Sequence, residues 1–471
     1  MKTIKFVKFR IPIEIGVEPG RPHSAGSDAA DRLSLLVSNY AQELVDDLGI
    51  SAKVQVTVAS ASGRYSPLTP YSVSVNGQPC RLPVGGDGWD LDPSALAALV
   101  NLHLFENRTL LLSKAVVART RKLWLLEPLL PAGRLQPFLE WLATHCLRVD
   151  RFPEGLDWNA GEAAVREIIL RDAAGVTLLL GSAEPGEYEP LIREAAAEHI
   201  EQAIFDRYGL MLPPVKVERD PASVSGMRLR INHVRTPHQS TGDAAGCLEL
   251  REHVYRGAAV LVTEDSVRLA LNLVYDSFPR LVETALDRFP VSPLLTEIAR
   301  ALLAEAVPIS DMRGVLEALL NVCGPTSADF ELKIAFSSNA GMLCQVEAGE
   351  ALGTSEFADC VRAWLRAAIA QTYCQRTNEM TVHLVHSDVE GWIRARRHEG
   401  PTQEEREKLV ATVSAALAPN GKDVPVLLTT SGVRRTLRRF LEREFPNLVV
   451  LSYQELPNEL SIVQASPISW P

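Results

Sequence analysis

The sequence has no CxxC pair. Its seven cysteines (Cys80, Cys146, Cys247, Cys323, Cys344, Cys360 and Cys374) are scattered, and an odd number cannot close into a complete set of internal disulfides. That spacing fits a reducing, cytosolic setting. Long apolar runs are also missing. Stretches such as Leu123 to Leu130 and Ala258 to Val262 fall far short of the roughly 18 to 20 residues that cross a bilayer, so a soluble chain is expected. The start, MKTIKFVKFRIPIEIGV, interleaves Lys and Arg with apolar residues and reads as a strand, not a signal peptide. No basic excess exists: the formal net charge is -10, which excludes wholesale binding to nucleic acid phosphates and makes any basic site local. HExxH, EF-hand, GxSxG and Walker patterns are absent, which removes the commonest metal, acyl-transfer and nucleotide chemistries.

What is present is apolar mass and periodicity. With 471 residues, 46% of them hydrophobic, the chain can bury several cores, and its length suggests about three domains. The first segment reads as a strand (Phe6 to Ile15), a helix (Asp31 to Leu48) closed by Gly49, then strands Lys53 to Val58 and Tyr71 to Val75 ending at the turn pair Asn76-Gly77. The order returns with strand-like runs Glu167 to Leu170 and Val176 to Leu180, a helix Tyr188 to Tyr208 closed by Gly209, and strands Val215 to Val217 and Met227 to Ile231. "DDLGISAKVQV" answers "DRYGLMLPPVKV", and "YSVSVNG" answers "MRLRINH". Leu125 to Cys146 also lines up without a gap on Leu302 to Cys323, with Leu125, Leu126, Pro131, Leu139, Glu140, Leu142 and Cys146 identical to Leu302, Leu303, Pro308, Leu316, Glu317, Leu319 and Cys323. Pro308 would end one helix there, and Ser310 would N-cap the next.

The expected fold class is therefore α/β and α+β multidomain: a duplicated small α/β subdomain plus helical subdomain, followed by a C-terminal α/β domain. The expected boundaries are 1–80, 81–150, 151–262, 263–324 and 325–471. The last part carries strands Phe330 to Phe336, Met342 to Val346, Thr381 to Val385, Val426 to Thr429 and Leu448 to Leu451, with helices Ser355 to Tyr373 and Gln403 to Ala416 between them.

Between the last two strands lies a helix with five arginines, Arg434, Arg435, Arg438, Arg439 and Arg443. Val433, Leu437, Phe440 and Leu441 share one face, and like-charged pairs four apart cost a few tenths of a kcal/mol each in an isolated helix. A solvated face is one reading. An acidic protein partner that relieves the repulsion is the other. The preceding loop, TTSG, has one glycine and no lysine, so it is no P-loop.

Three stretches then resemble a known family. "PVLLTTSGVRRTLRRFLEREFPNLVVLSYQELPNELSI" looks like the C-terminal signature of the FHIPEP family, the export-gate proteins of flagella and type III secretion systems. "DSFPRLVETALDRFPVSPLLTEIARALLAEAVPISDMRGVLEALL" is similar to that family's helical cytoplasmic subdomain, including a PIxDxRxxLEAL pattern, and "YGLMLPPVKVERDPASVSGMRLRIN" resembles its first cytoplasmic α/β subdomain. The family carries a large N-terminal membrane domain. Here no span is read, and the extra copy of the module stands in its place. Only His233 to Thr263 separates RLRIN from the helical part, where the family inserts a further small subdomain.

The resemblance implies a non-enzymatic cytoplasmic platform, peripheral to a membrane export complex and without a cofactor. It would self-assemble through its helical subdomain into a homo-oligomer and meet chaperones, substrates or ring neighbours, with no nucleic acid and no direct membrane span. Asp311 and Arg313 match the charged pair of PIxDxR, and Arg434 and Arg435 match the arginines opening the last helix. With Arg438 they form the expected partner-binding set, helix capping and surface solubility being the alternative for each. The competing reading is an α/β enzyme or nucleotide-binding module with its site at the strand ends of the last domain, where His383 and His386 stand beside Asp388. His145-Cys146 reads as packing, and Trp124, Trp141, Trp364 and Trp392 as core or interface aromatics.

Overall fold

Ile11, Ile13 and Ile15 are buried and alternate with exposed Arg10, Pro12 and Glu14, so one face of the first strand lies on a core. The computed structural model describes residues 9–17, 27–60, 71–80, 92–124, 132–150, 162–184, 186, 188–221, 223–288, 291–322, 333–337, 341–345, 351–374, 379–397, 399–417, 425–442, 444–445 and 448–470. Strand β1 (Phe9–Val17) is followed by α1 (Asp28–Asp47), whose N-cap Ser27 accepts a hydrogen bond from the Ala30 amide. Strands β2 (Ala52–Ser60), β3 (Tyr71–Val75) and β4 (Gln78–Cys80) complete a sheet ordered β2-β1-β3-β4, with β1 and β2 parallel and the other pairs antiparallel. Helices α2 (Pro93–Glu106), α3 (Lys114–Trp124), α4 (Ala132–Thr144) and α5 (Glu162–Ala173) follow, with a 3₁₀ turn at Arg108–Leu111.

The second module repeats this plan. It comprises β5 (Val176–Gly181), α6 (Tyr188–Ala196), a π turn (Ala197–Gln202), α7 (Ala203–Tyr208), β6 (Lys216–Asp220), β7 (Met227–Ile231) and β8 (Val234–Ser240), with sheet order β6-β5-β7-β8 and the same strand directions. Helices α8 (Ala244–Arg256), α9 (Glu264–Ser277), α10 (Pro279–Arg288), α11 (Val291–Ala304) and α12 (Met312–Val322) follow, again with a 3₁₀ turn, Ala258–Leu261.

Equivalent hydrogen bonds fix how the copies register. The amide of Val149 bonds to the carbonyl of Leu48, and that of Ile309 to the carbonyl of Tyr208, both at 2.8–2.9 Å. Gly49 and Gly209 adopt the same left-handed φ, +70° and +71°. Asn76 and Asn232, also left-handed, donate to the carbonyls of Leu110 and Val260. The end of α4 has the same C-cap as the end of α11: Leu147 and Val307 bond back to Leu142 and Leu302, with Cys146 and Ala306 at φ 56° and 57°.

The gapless alignment of Leu125 to Cys146 on Leu302 to Cys323 is therefore displaced by one helix. Helix α4 corresponds to α11, not to α12, and 125–131 lies outside the described residues. Leu-rich amphipathic helices align at several offsets, and the cap geometry decides between them. The run Glu167 to Leu170 is helical, within α5, not a strand. Its Val165, Ile169 and Leu170 lie in the first module's core, so that core extends beyond residue 150.

The π turn holds one extra residue. Buried positions correspond as Leu33 with Ile192 and Val37 with Ala196 before it, but as Tyr40 with Ile200, Leu44 with Ile204 and Leu48 with Tyr208 after it. In the first copy, Gln42 alone accepts from the Val54 amide (3.0 Å) and donates to the Ala52 carbonyl and to Asp46. In the second, Glu201 accepts from the Val215 amide (2.6 Å) while Gln202 donates to Asp206 (2.7 Å).

The C-terminal domain has an antiparallel sheet of β9 (Lys333–Ser337), β10 (Gly341–Gln345) and β11 (Ala351–Gly353), then α13 (Thr354–Trp364) and α14 (Arg366–Tyr373). A parallel sheet follows, ordered β14-β13-β12-β15, from β12 (Glu379–Leu384), α15 (Ser387–Ala395), α16 (Gln403–Leu417), β13 (Val426–Thr429), α17 (Ser431–Leu441), β14 (Val449–Ser452) and β15 (Ser461–Gln464). One face of it shares a continuous core with the second module through α13 and α14. The other is covered by α15, α16 and α17. No described helix is long and apolar enough to cross a membrane.

Two partly buried imidazoles make this fold sensitive to acid. Burial, with Arg300 next in effect, holds His145 down to about 3. Burial, with His238 stacked at 4.7 Å, holds His253 down to about 4. Both are neutral in the fold, while the unfolded chain takes up protons below about pH 6.5. Stability attributable to them is thus complete above 6.5 and is lost as pH falls toward 4 and 3. A melting series should show Tm declining between pH 6.5 and 5, above the range where carboxylates titrate, and a His145→Gln/His253→Gln variant should lack that limb.

Candidate functional site

Helix α17 forms as its pattern suggests. Val433, Leu437, Phe440 and Leu441 are all buried against the sheet and the neighbouring helices. Two of its arginines, Arg434 and Arg438, are not where the pattern put them. Arg434 is only 2% exposed. Its guanidinium meets three carboxylates of the chain itself: Glu305 at 2.5 Å, Asp359, and Glu455 at 3.4 Å. Arg362, equally buried, pairs with Glu455 at 2.7 Å and Glu305 at 3.3 Å. The Ser452 hydroxyl donates to Glu455 (3.0 Å), and the Tyr373 hydroxyl to the Glu305 carbonyl (3.4 Å).

These groups come from separate segments: Glu305 just past α11, Asp359 and Arg362 on α13, Arg434 on α17, and Glu455 in the short turn after β14. The cluster therefore joins the second module to the C-terminal domain. Burial would raise the Glu305 carboxyl, but Arg362 and Arg434 outweigh it and hold it below the usual range. At Asp359 burial outweighs Arg434, and the carboxyl is held above its usual range. Burial works against charge on Arg434 as well, yet Glu305, Asp359 and Glu455 together raise its pKa. A buried network of this kind says little about net stability but strongly selects one arrangement of its parts.

The expectation that Arg434, Arg435 and Arg438 form a surface aimed at an acidic partner is corrected accordingly. The acidic partner of Arg434 is intramolecular. Arg438 turns inward to the carbonyls of Phe445 (3.1 Å) and Leu448 (2.6 Å). Arg435 stays partly exposed, 3.7 Å from Asp359. Arg439 is exposed and donates to the Arg397 carbonyl, and Arg443 lies outside the described residues. Asp311 caps α12, its carboxylate accepting from the Gly314 amide (2.9 Å). Ser310, expected as that cap, packs instead against Gly209. Arg313 is exposed, pairs with Glu317 (2.7 Å) and lies 4.6 Å from the Phe278 ring centre.

The strand ends of the parallel sheet were the alternative site. At the junction of β13 and α17 the Glu390 carboxylate accepts from the Thr429 hydroxyl (2.6 Å), the Thr430 amide (2.8 Å) and the Thr430 hydroxyl (3.1 Å). A phosphate at this helix N-terminus would meet a carboxylate close by. His383 is buried against the Ser466 carbonyl, whereas His386 is exposed and caps α15, so the two do not converge. Among the described residues no group of three His, Cys, Asp or Glu could hold a metal ion. His145 bonds to the Trp141 carbonyl and stacks on its ring, and burial raises the Cys146 thiol, both in keeping with packing.

Duplicated α/β modules fused through an ion cluster to a parallel-sheet domain define a multi-part scaffold. Residues 341–461 match the model of the FHIPEP family, the family that the sequence resembles. The flagellar biosynthesis protein FlhA of Proteus mirabilis is 27% identical over 215 residues, covering 45% of this chain and 27% of that protein. The chain thus spans about a quarter of the length of the curated relatives it matches. The structure of the Chlamydia pneumoniae CdsV protein overlays with a TM-score of 0.50 at 20% identity, covering 63% of this chain and 98% of that one. A structure of the Chlamydia pneumoniae CdsV and CdsO complex overlays with the same TM-score, identity and coverage. The mixed α/β fold read from the sequence is that of these structures.

Proposed function

We propose that the chain works as a non-enzymatic platform in protein export, on the cytoplasmic side of a membrane export complex, by binding export components and associating with itself. The observation that carries this reading is the FHIPEP match over 341–461, which covers most of the C-terminal domain. The overlay with CdsV over 63% of this chain adds support at the level of fold. CdsV is described in complex with CdsO, and a partner of that kind is what the platform reading assigns to this chain.

Helices α9 and α10 and the residue between them expose Leu269, Leu273, Tyr275, Phe278 and Leu286, the sort of apolar surface that protein contacts cover. Of the residues expected to touch partners, Arg313 beside Phe278 and half-exposed Arg435 remain in that role. Asp311 acts as a cap. A nucleotide-binding role is disfavoured by Glu390, whose carboxylate lies against Thr429 and Thr430 at the end of β13.

Light scattering over a concentration series, at low and high salt, tests the self-association. A mass rising well above 51.6 kDa with concentration is the expected result. A mass fixed at that value under all conditions would remove self-assembly from the reading.

A further inference from the structure

The chain has two joints, and they are built differently. The second module and the C-terminal domain share one apolar core, whereas among the described residues Val234 alone of the second module lies in the first module's core. The remainder of the first joint is polar. Helices α1 and α2 pack on β8, and α1 presents Tyr40, Glu43 and Asp47, three and four residues apart on one face. Both terminal nitrogens of Arg228 donate to Glu43 at 3.0 Å. Arg235 donates to Asp47 through its Nε, its outer nitrogen and its own amide at 2.9–3.0 Å, and Tyr40 donates to the Arg235 carbonyl at 3.2 Å. Asn232 and His233 add bonds to the carbonyls of His145 and Cys146, and Arg300 pairs with Glu167 of α5 at 3.0 Å.

The first copy keeps the same sheet order without these arginines. In the first copy, the positions that correspond to Arg228 and Arg235, counted from Asn76 and Asn232, hold Ser72 and Pro79. In the second copy Arg228 also donates to the Thr236 carbonyl of β8 (3.2 and 3.4 Å) and Arg235 lies 4.0 Å from Asp220, so the two charges serve the ribbon as well as the joint. Pro237 and the bulge between Arg228 and Arg230 deny β8 a regular outer ladder, so what it receives is a helix and not an added strand.

We propose that the β7–β8 ribbon of the second module is a docking surface for an acidic helix of a partner protein, one carrying two carboxylates a turn apart, and that α1 occupies it in cis as an autoinhibitory contact. A mostly polar joint between units permits relative motion, and raised salt weakens its ion pairs. Undocking exposes Arg228 and Arg235 to the partner.

The test uses the full chain and a labelled peptide of residues 28–47 as the probe. In Glu43→Lys/Asp47→Lys, β8 amides are expected to exchange at least tenfold faster than in the wild type, with an unchanged circular dichroism spectrum. The peptide should bind this variant at least tenfold more tightly than the wild type. Adding Arg228→Glu/Arg235→Glu should restore protection of β8 and abolish peptide binding. A folded variant whose β8 stays protected, or one that opens without binding the peptide, overturns the proposal. Should the variant fail to fold, a salt series on the wild type decides: β8 protection must fall with salt while that of the central strand β5 holds, and salt-independent exchange of β8 overturns the proposal. Neither result depends on self-association or on a role in export.

Discussion

Replacing Arg434 by alanine is expected to destabilise the C-terminal domain by about 3–5 kcal/mol, the cost of leaving buried carboxylates without their cation. Glu305, Asp359 and Glu455 would then face one another, with Arg362 as the nearest fully buried counter-charge. The effect should appear in urea unfolding as a lowered midpoint for the transition that includes α17 and β14. Arg435→Ala, at the edge of the same cluster and partly in solvent, should cost well under about 1 kcal/mol. Combining Arg434→Met with Glu305→Gln and Asp359→Asn should recover much of the loss, because neutral groups bear burial better than unpaired charges. Wild-type stability for Arg434→Ala would mean that the cluster is not buried as described.

The second large effect is expected at Gly209. A Cβ there would meet the Ser310 backbone at 2.4 Å, at a φ of +71° that side chains rarely adopt. Backbone cannot swing aside, so Gly209→Ala should cost roughly 2–4 kcal/mol from strain and overpacking together. The counterpart Gly49, φ +70°, meets the Asp150 carboxylate, the far end of a side chain that can rotate away. Gly49→Ala should therefore cost about half as much, chiefly from its φ. Parallel chemical denaturation of the two variants checks the order. Equal losses would show that Ser310 gives way as easily as Asp150.

Much of the fold was legible because local patterns encode it. β3, β7 and β13 lie where alternation or apolar runs place them, and the two helix-ending glycines gave the repeat its true register. Helix α15 and strand β15 went unread because each is short: Gly391 interrupts the first, and the second is four residues at a sheet edge. The helical register was misread because leucine spacing constrains an offset less than a cap does. The direction of Arg434 was not legible at all. Its partners lie 129, 75 and 21 positions away, and a residue's own helix cannot report that another layer covers its polar face. Only the like-charge repulsion along α17 hinted that carboxylates were to be found somewhere.

The π turn bears on how the two copies can diverge. In the first, a single amide side chain, Gln42, both holds the edge of β2 and steadies Asp46, so a mutation there removes two functions at once. The extra residue in the second copy lets Glu201 and Gln202 take one task each. Selection can then relax or refine either one alone, and the second copy is the one whose surface near β6 is freer to drift.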